Sequence, residues 1–434
     1  MILGNITYRL ISLAIDIRRV ELRGLLWSFS YFFTLLTTFF ILRPIRDEMG
    51  IAGGVGYLPW LFTGTFIVML LVFPIFGALV SRFPRRKFIP FVYVFFAANL
   101  MVFWYLFTHN LYMDVVARVF FVWISVFNVF VVSIFWSFMV DLFKAEQSKR
   151  LFGFIAAGGT LGTIMGESIT AFLVIPFGVA NLFFISAIML LIAVICVLKL
   201  GGMDELKGDQ SQDANKPKVI GGGMFDGFSE VLKSKYLMGI SALVMILALT
   251  ATFAYFFQAH FLEQNFSNGD ERTQIFALVG LAVSTLTIFT QVFIVNRVMG
   301  KFGIKGAVIL LPIITIIGFI AIAIMPTIIV FFVFQIFRRT GEYGLLSPSR
   351  ENLFSILPRE EKYKAKNFID TVAYRGADAG SGWVFSGLNS GLGLSFKIIA
   401  MIGVPIAAIW GIIAWRLGKH HQLKLNELGK SENE

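Results

Sequence analysis

The chain has 434 residues but only one cysteine, Cys196, four histidines, and charged residues at 15% of positions. A single cysteine excludes a disulfide framework and a cysteine-based metal site. His109, His260, His420 and His421 are scattered, and no nucleophile motif or cofactor loop accompanies them. No enzyme activity, catalytic residue, metal or cofactor is therefore expected. A soluble domain carries roughly 25% charged residues, and the deficit here extends over most of the length. The alternating ten-residue pattern of a membrane β-barrel is missing as well. No cleavable signal peptide is expected either. Arg9, Arg18 and Arg19 precede the first apolar run, and no small-residue cleavage site follows it.

What is present is apolar. Hydrophobic residues make up 57% of the chain, and the mean hydropathy is +0.80. Leu25 to Leu42 is eighteen residues without a charge, long enough to cross a bilayer. The same reading along the chain predicts twelve spans, at about 24–42, 57–80, 88–108, 113–140, 151–175, 179–198, 236–261, 274–295, 304–325, 327–348, 367–389 and 394–415. The expected fold class is all-α, a polytopic membrane protein of twelve transmembrane helices in two six-helix halves. The halves are 1–200 and 236–416, with a cytoplasmic linker at 201–235 and a cytoplasmic tail at 417–434. The linker is polar around Asp209, Gln210, Asp213, Asn215 and Lys216, too polar to bury a core. Its Gly221-Gly222-Gly223 lacks the Lys-Ser or Lys-Thr of a phosphate-binding loop.

With the N-terminus in the cytoplasm, 29 of the 37 Lys and Arg residues fall on one side of the membrane. The positive-inside rule then puts both termini in the cytoplasm, as expected for the inner membrane of a bacterium. The basic charge is thus topology, and no nucleic-acid partner is expected. Arg43, Arg46, Arg118, Arg272, Arg338, Arg339, Arg375 and Lys397 are left over. Of these, Arg272 sits in an extracytoplasmic loop, and the others lie within or at the ends of spans.

The spans repeat at a shift of about 215 residues. Ser81-Arg82-Phe83-Pro84-Arg85-Arg86-Lys87 follows span two, and Asn296-Arg297 with Lys301 to Lys305 follows span eight. Such repetition is the layout of secondary transporters, whose substrate site lies near the membrane midplane. The segment Gly77 to Arg86 also resembles the loop 2–3 signature of the major facilitator superfamily, with Ser81 and Pro84 as departures.

The intramembrane charges are the candidate site. Arg43 and Arg46, with Asp47 and Glu48, either cap span one or face a cavity, and Pro44 is expected to kink or end that helix. Arg118 in span four either snorkels or joins them. Arg338 and Glu342 are spaced for a helical ion pair, with Arg339 and Tyr343 beside them. Asp370, Arg375 and Asp378 share span eleven with small residues. Span five has a comparable run, Ala156, Ala157, Gly158, Gly159, Gly162 and Gly166, followed by Glu167. Such faces permit close helix packing. Arginine presents a fork suited to carboxylate or phosphate. The substrate-binding candidates are therefore Arg43, Arg46, Arg118, Arg338, Arg339, Arg375 and Tyr343, and the expected cargo is a small organic anion. The coupling or charge-pair candidates are Asp47, Asp141, Glu167, Glu342, Asp370 and Asp378. Tyr31, Trp60, Trp104, Trp123, Trp136, Tyr255, Tyr374 and Trp383 either stack a ring or simply pack.

At Ile41-Leu42-Arg43-Pro44-Ile45-Arg46-Asp47, and again from Glu342 to Gly376, the chain resembles the ATP/ADP translocases of plastids and intracellular bacteria. The resemblance implies a major facilitator-type fold and a transporter of an anionic, nucleotide-like or phosphorylated metabolite. It implies that Arg46 stands at the family's substrate-binding Lys and Asp141 at its acid near the end of span four. The span-seven acid has no counterpart near Tyr255, Gln258 and His260, and Glu342 stands where the family has a Lys, which implies a different cargo. Membrane lipids and protons are the other expected partners, with the chain a monomer. A proton-coupled transporter of a non-nucleotide molecule stays open, as does a non-transporting receptor or assembly factor on the same fold.

Overall fold

The computed structural model describes the backbone at residues 16–82, 85–203 and 226–431, and the side chains except at 76–87, 145, 226, 359 and 428–431. The N-terminal residue Arg9, the polar linker residues 204–225 with their glycine triplet, and Phe83-Pro84 lie outside the described residues. So do the side chains of the basic segment Ser81 to Lys87.

Apolar runs become helices here because a segment in hydrocarbon must satisfy its own backbone hydrogen bonds. Among the described residues there is no strand, and twelve long rods follow one another. We label them α1 (Leu22–Ala52), α2 (Leu58–Arg82), α3 (Arg85–Thr108), α4 (Met113–Leu142), α5 (145–177), α6 (179–201), α7 (Lys235–Asn265), α8 (269–302), α9 (304–324), α10 (328–353), α11 (359–391) and α12 (Phe396–Ser431). A short helix, Asp226–Lys233, precedes α7. The protein is thus an all-α polytopic membrane protein.

Among the described residues, eight helical stretches are long and apolar enough to cross a membrane. Two of these are pairs of rods fused without a loop. Gly178 (φ 74°, ψ 156°) separates α5 from α6, and Gly303 (φ 65°, ψ −175°) separates α9 from α8. Both conformations belong to a region that only glycine enters readily. The two rods outside the eight, α10 and α11, are those with the most intramembrane charge.

Several helices run past the predicted spans, α8 to residue 302, α11 from Arg359 and α12 to Ser431, and two of the extensions pass a proline. Helix α1 does not end at Pro44, which is buried inside it, but runs on to Ala52. Burial of the flanking Ile41, Leu42 and Ile45 holds the helix through the lost hydrogen bond. Helix α10 does not end at residue 348 but continues through Leu353, with Pro348 in the first turn of its last segment, where a missing N–H does no harm.

Among the described residues, three π-helical turns interrupt helices, at Thr290–Ile294 in α8, Glu342–Leu346 in α10 and Ile369–Ala373 in α11, and a fourth, Gly387–Gly391, ends α11. Such turns are rare and recur at functional sites.

The chain forms two compact units. The first comprises residues 1–53, 67–216 and 268–281. Its core is aromatic, with Phe32 stacked on Phe135 at 4.1 Å and the fully buried Tyr31 and Tyr93 hydroxyls 2.5 Å apart. Glycines of α5 let α1 approach within backbone contact. A Cβ at Gly162 would lie 2.3 Å from the Phe33 carbonyl oxygen, and one at Gly166 would lie 2.6 Å from that of Thr37. The second unit comprises residues 54–66, 217–267 and 282–434. It is centred on Leu237, Leu243, Val308, Leu311, Leu346, Ile369 and Trp410.

Candidate functional site

In the first unit the candidate residues gather at the last turns of α1. Because Pro44 does not end the helix, Arg43, Arg46, Asp47 and Glu48 all have helical positions. The Arg46 guanidinium lies 4.0 Å from the centre of the Phe121 ring on α4 and 3.1 Å from Asp47. That arrangement offsets much of the cost of holding a cation away from water. Its Nε, also buried, has no hydrogen-bond partner. Arg43 lies over Phe40 at 5.6 Å. Arg118 reaches the end of α1, with its side chain 3.8 Å from where a Cβ on Gly53 would sit.

Glu48 does not cap the helix. It accepts two hydrogen bonds from Arg272 of α8, at 2.8 and 2.6 Å, and both side chains are largely buried. Arg272 therefore belongs to a buried ion pair and not to an exposed loop. Residues 224 apart give no local sequence signal of such a pair. Glu167 is 2% exposed and packs against α8 where Gly280 leaves room; a Cβ there would be 2.5 Å from its carboxylate oxygen. Asp141, by contrast, is exposed near the end of α4.

In the second unit, α10 and α11 bring most of the remaining candidates to one cavity of about 350 Å³, a size ordinary for small-molecule sites. Its charged lining is Glu342, Arg350, Asp370 and Arg375, and Tyr343 and Tyr374 supply aromatic surface. The two π-turns supply Glu342, Tyr343 and Asp370. A π-turn widens the ring of backbone hydrogen bonds and frees a carbonyl. Here Gln291, in the α8 π-turn, donates to the Tyr343 carbonyl at 3.3 Å.

Each charge has an identifiable partner. Arg338, 4% exposed, donates to Glu342 at 3.1 Å, in the helical spacing anticipated above. It also donates to Gln335 at 3.2 Å, and Gln335 in turn donates to Gln258 of α7 at 3.0 Å. Asp378 accepts from Thr252 at 2.8 Å and lies 3.7 Å from Arg375. Arg350 Nη1 is 3.3 Å from Asp370 Oδ1. Arg339 is half-buried and does not line the cavity.

Arg350 falls outside the candidate site read from the sequence, because the predicted spans 327–348 and 367–389 leave it in the loop between them. The available signal was Ser347-Pro348: a proline near the start of a helical segment is compatible with continuation. The candidate aromatics divide. Tyr343 and Tyr374 reach the cavity, whereas Tyr31 is core, Trp123 stacks on Phe127 at 5.2 Å, and Trp60 meets Trp383 edge-on at 4.7 Å.

The model of the Major Facilitator Superfamily matches residues 24–377. The chain is 23% identical over 342 residues to ADP,ATP carrier protein 1 of Chlamydia muridarum, covering 68% of this chain and 61% of that carrier. It is 22% identical over 336 residues to the carrier of the same name from Chlamydia trachomatis, covering 66% and 61%. These matches span only about three fifths of the carriers' own length. Among solved structures, the nucleoside transporter NupG matches with a TM-score of 0.64 at 14% identity, covering 92% of this chain and 98% of that one. A D-xylose-proton symporter matches with a TM-score of 0.61 at 15% identity, covering 90% and 98%. At these identities the likeness to the solved structures concerns the fold alone.

Proposed function

Because the chain belongs to the major facilitator superfamily, we propose that it is a secondary transporter of a small anionic metabolite, nucleotide-like or otherwise phosphorylated. Transport proceeds by alternating access, with exchange or a proton as the coupled event. The observation that carries this reading is the cavity of the second unit, where Arg350 and Arg375 stand beside Tyr343 and Tyr374. Guanidinium groups suit phosphate oxygens, and tyrosine faces suit a ring. The arginines at the end of α1 add to it. There Arg43, Arg46 and Arg118 are accompanied by Asp47, while Glu48 is already engaged by Arg272. The 23% identity to ADP,ATP carriers points to the same class of cargo. The membrane is the inner membrane of a bacterium, with both termini in the cytoplasm, from the distribution of Lys and Arg.

A second reading, a proton-coupled carrier of a non-nucleotide cargo, draws on one observation. The two cavity arginines are matched by two lining carboxylates, Glu342 and Asp370, a balance that also suits a neutral or zwitterionic ligand.

The two separate by experiment. Purified protein warmed with a panel of solutes is expected to gain stability from nucleotides or phosphate esters. A ligand at a hundred times its Kd adds about 2.7 kcal/mol. In vesicles, Arg46→Ala and Arg350→Ala are each expected to abolish uptake of the stabilising solute with insertion intact. Stabilisation by uncharged solutes alone, or unchanged uptake by both variants, overturns the anionic reading.

A further inference from the structure

Among the ion pairs near the cavity, Arg350–Asp370 is the one in which both partners keep a buried atom without a hydrogen bond. Its closest approach is 3.3 Å. Arg350 Nε and Asp370 Oδ1, although buried, both lack a hydrogen-bond partner. An orphaned donor and acceptor are expensive to bury, and buried polar atoms are ordinarily satisfied. The other charged groups facing Asp370 are engaged elsewhere. Glu351 of α10 is 2.6 Å from Lys366 of α11, Glu342 is held by Arg338 at 3.1 Å, and Arg375 lies 3.7 Å from Asp378. Tyr343 and Tyr374 are the remaining titratable groups of the lining, and α7 contributes only Leu247.

Resting on the anionic-cargo reading above, we propose that Arg350 is the anchor for the anionic group of the cargo, and that Asp370 is its resident counter-ion, displaced on taking up a proton. A carboxylate and a bound phosphate compete for the same fork, since both are acceptors that prefer two parallel N–H donors. Two anions beside one guanidinium repel, so binding favours the protonated Asp370. One proton passes from solvent to the Asp370 carboxyl for each anion bound, and no bond other than that O–H is made. The flank is built for such an exchange. Asp370 lies in a π-turn and Arg350 one turn beyond another, so neither is fixed by an unbroken α-helical ladder. The Arg338–Glu342 pair beside it is held by Gln335 and Gln258 and gives a rigid wall against which the exchange occurs.

The test measures ADP and inorganic phosphate binding to the purified full-length protein between pH 7 and 9. The second ionisation of a phosphate monoester, near pH 6, is then complete. Wild-type affinity is expected to fall by up to tenfold per pH unit wherever the bound state holds a proton on Asp370 that the free state has released. D370N is expected to bind at least as tightly as wild type at pH 7 and to show no slope. R350A is expected to bind weakly at every pH, and E351Q to keep the wild-type slope. Proton uptake on binding, read from buffers of different ionisation heat, needs no variant and is expected to reach one proton per anion within that window. A wild-type slope retained in D370N, or no proton uptake by the wild type, overturns the assignment while leaving the anionic cargo in place. Failure of the wild type to bind either anion at any pH overturns both.

Discussion

At the scale of single residues, the side chains the fold treats most carefully are charged ones pinned by several donors. Glu21, just before α1, is 3% exposed. Burial pushes its carboxyl up. The Arg18 backbone N–H, the Gln147 amide and the Arg150 guanidinium outweigh that and hold it below the ordinary carboxylate range. A carboxylate with a depressed folded-state pKa adds stability above its unfolded value, lost as the pH falls through the folded one. Glu21→Gln is therefore expected to lower stability by about 2 kcal/mol at pH 7, the scale of hydrogen bonds to a charged group. The difference is expected to shrink once the pH falls below the unfolded value of about 4.3 and to vanish only below the depressed folded-state pKa. Thermal unfolding across pH in detergent measures both. A constant difference at all pH values removes the ionised carboxylate from the account.

At the scale of helices, close packing depends on where a glycine stands and not on how many there are. The small residues of α5 and α11 look alike in sequence but differ in place. Gly158, Gly159, Gly162 and Gly166 press α1 against α5, whereas a Cβ on Gly380 of α11 would meet nothing within 4 Å. Gly162→Val is expected to cost about 3 kcal/mol, because the clash is with backbone that cannot rotate away. Gly380→Ala is expected to be neutral or to gain up to about 1 kcal/mol from helix propensity. Melting temperatures compare them, and equal effects at the two positions would refute the packing account. Helices themselves were legible in the sequence because hydropathy is a local signal. The continuation of α1 past Pro44 and of α10 past Pro348 was not, since burial and helix-start tolerance overrode the usual breaking effect of proline. That is also why Arg350 was assigned to a loop while its neighbours Glu342, Tyr343, Asp370 and Arg375 were recognised.

At the scale of the whole molecule, the first unit is held by pairs far apart in sequence. The Glu48–Arg272 bridge ties α1 to the first turn of α8 with two hydrogen bonds. Arg272→Ala leaves Glu48 buried and unpaired, and the expected loss is about 3–5 kcal/mol. Replacing both partners by Leu is expected to recover most of it, since no uncompensated charge then remains. The double-mutant cycle, read by thermal unfolding, decides the matter; additive single effects would show that the pair does not couple. Such pairing was illegible in one sequence. The charges of residues 43–48 were visible as a cluster, but which of them faced a partner 224 positions away is set by tertiary packing. The all-α fold was legible for the opposite reason, since most spans are continuous apolar runs of about twenty residues.

The π-turns have one more consequence. Each of the three inside a helix adds a residue without ending it, so everything downstream is turned by one residue's worth of rotation, about 100° in an α-helix. The turn at Glu342–Leu346 thus acts as a phase shifter for the rest of α10. Deleting one residue within it would let the helix close into regular form and carry Arg350 off the cavity wall, with no charge changed. A one-residue insertion or deletion there moves Arg350 as decisively as a substitution removes it.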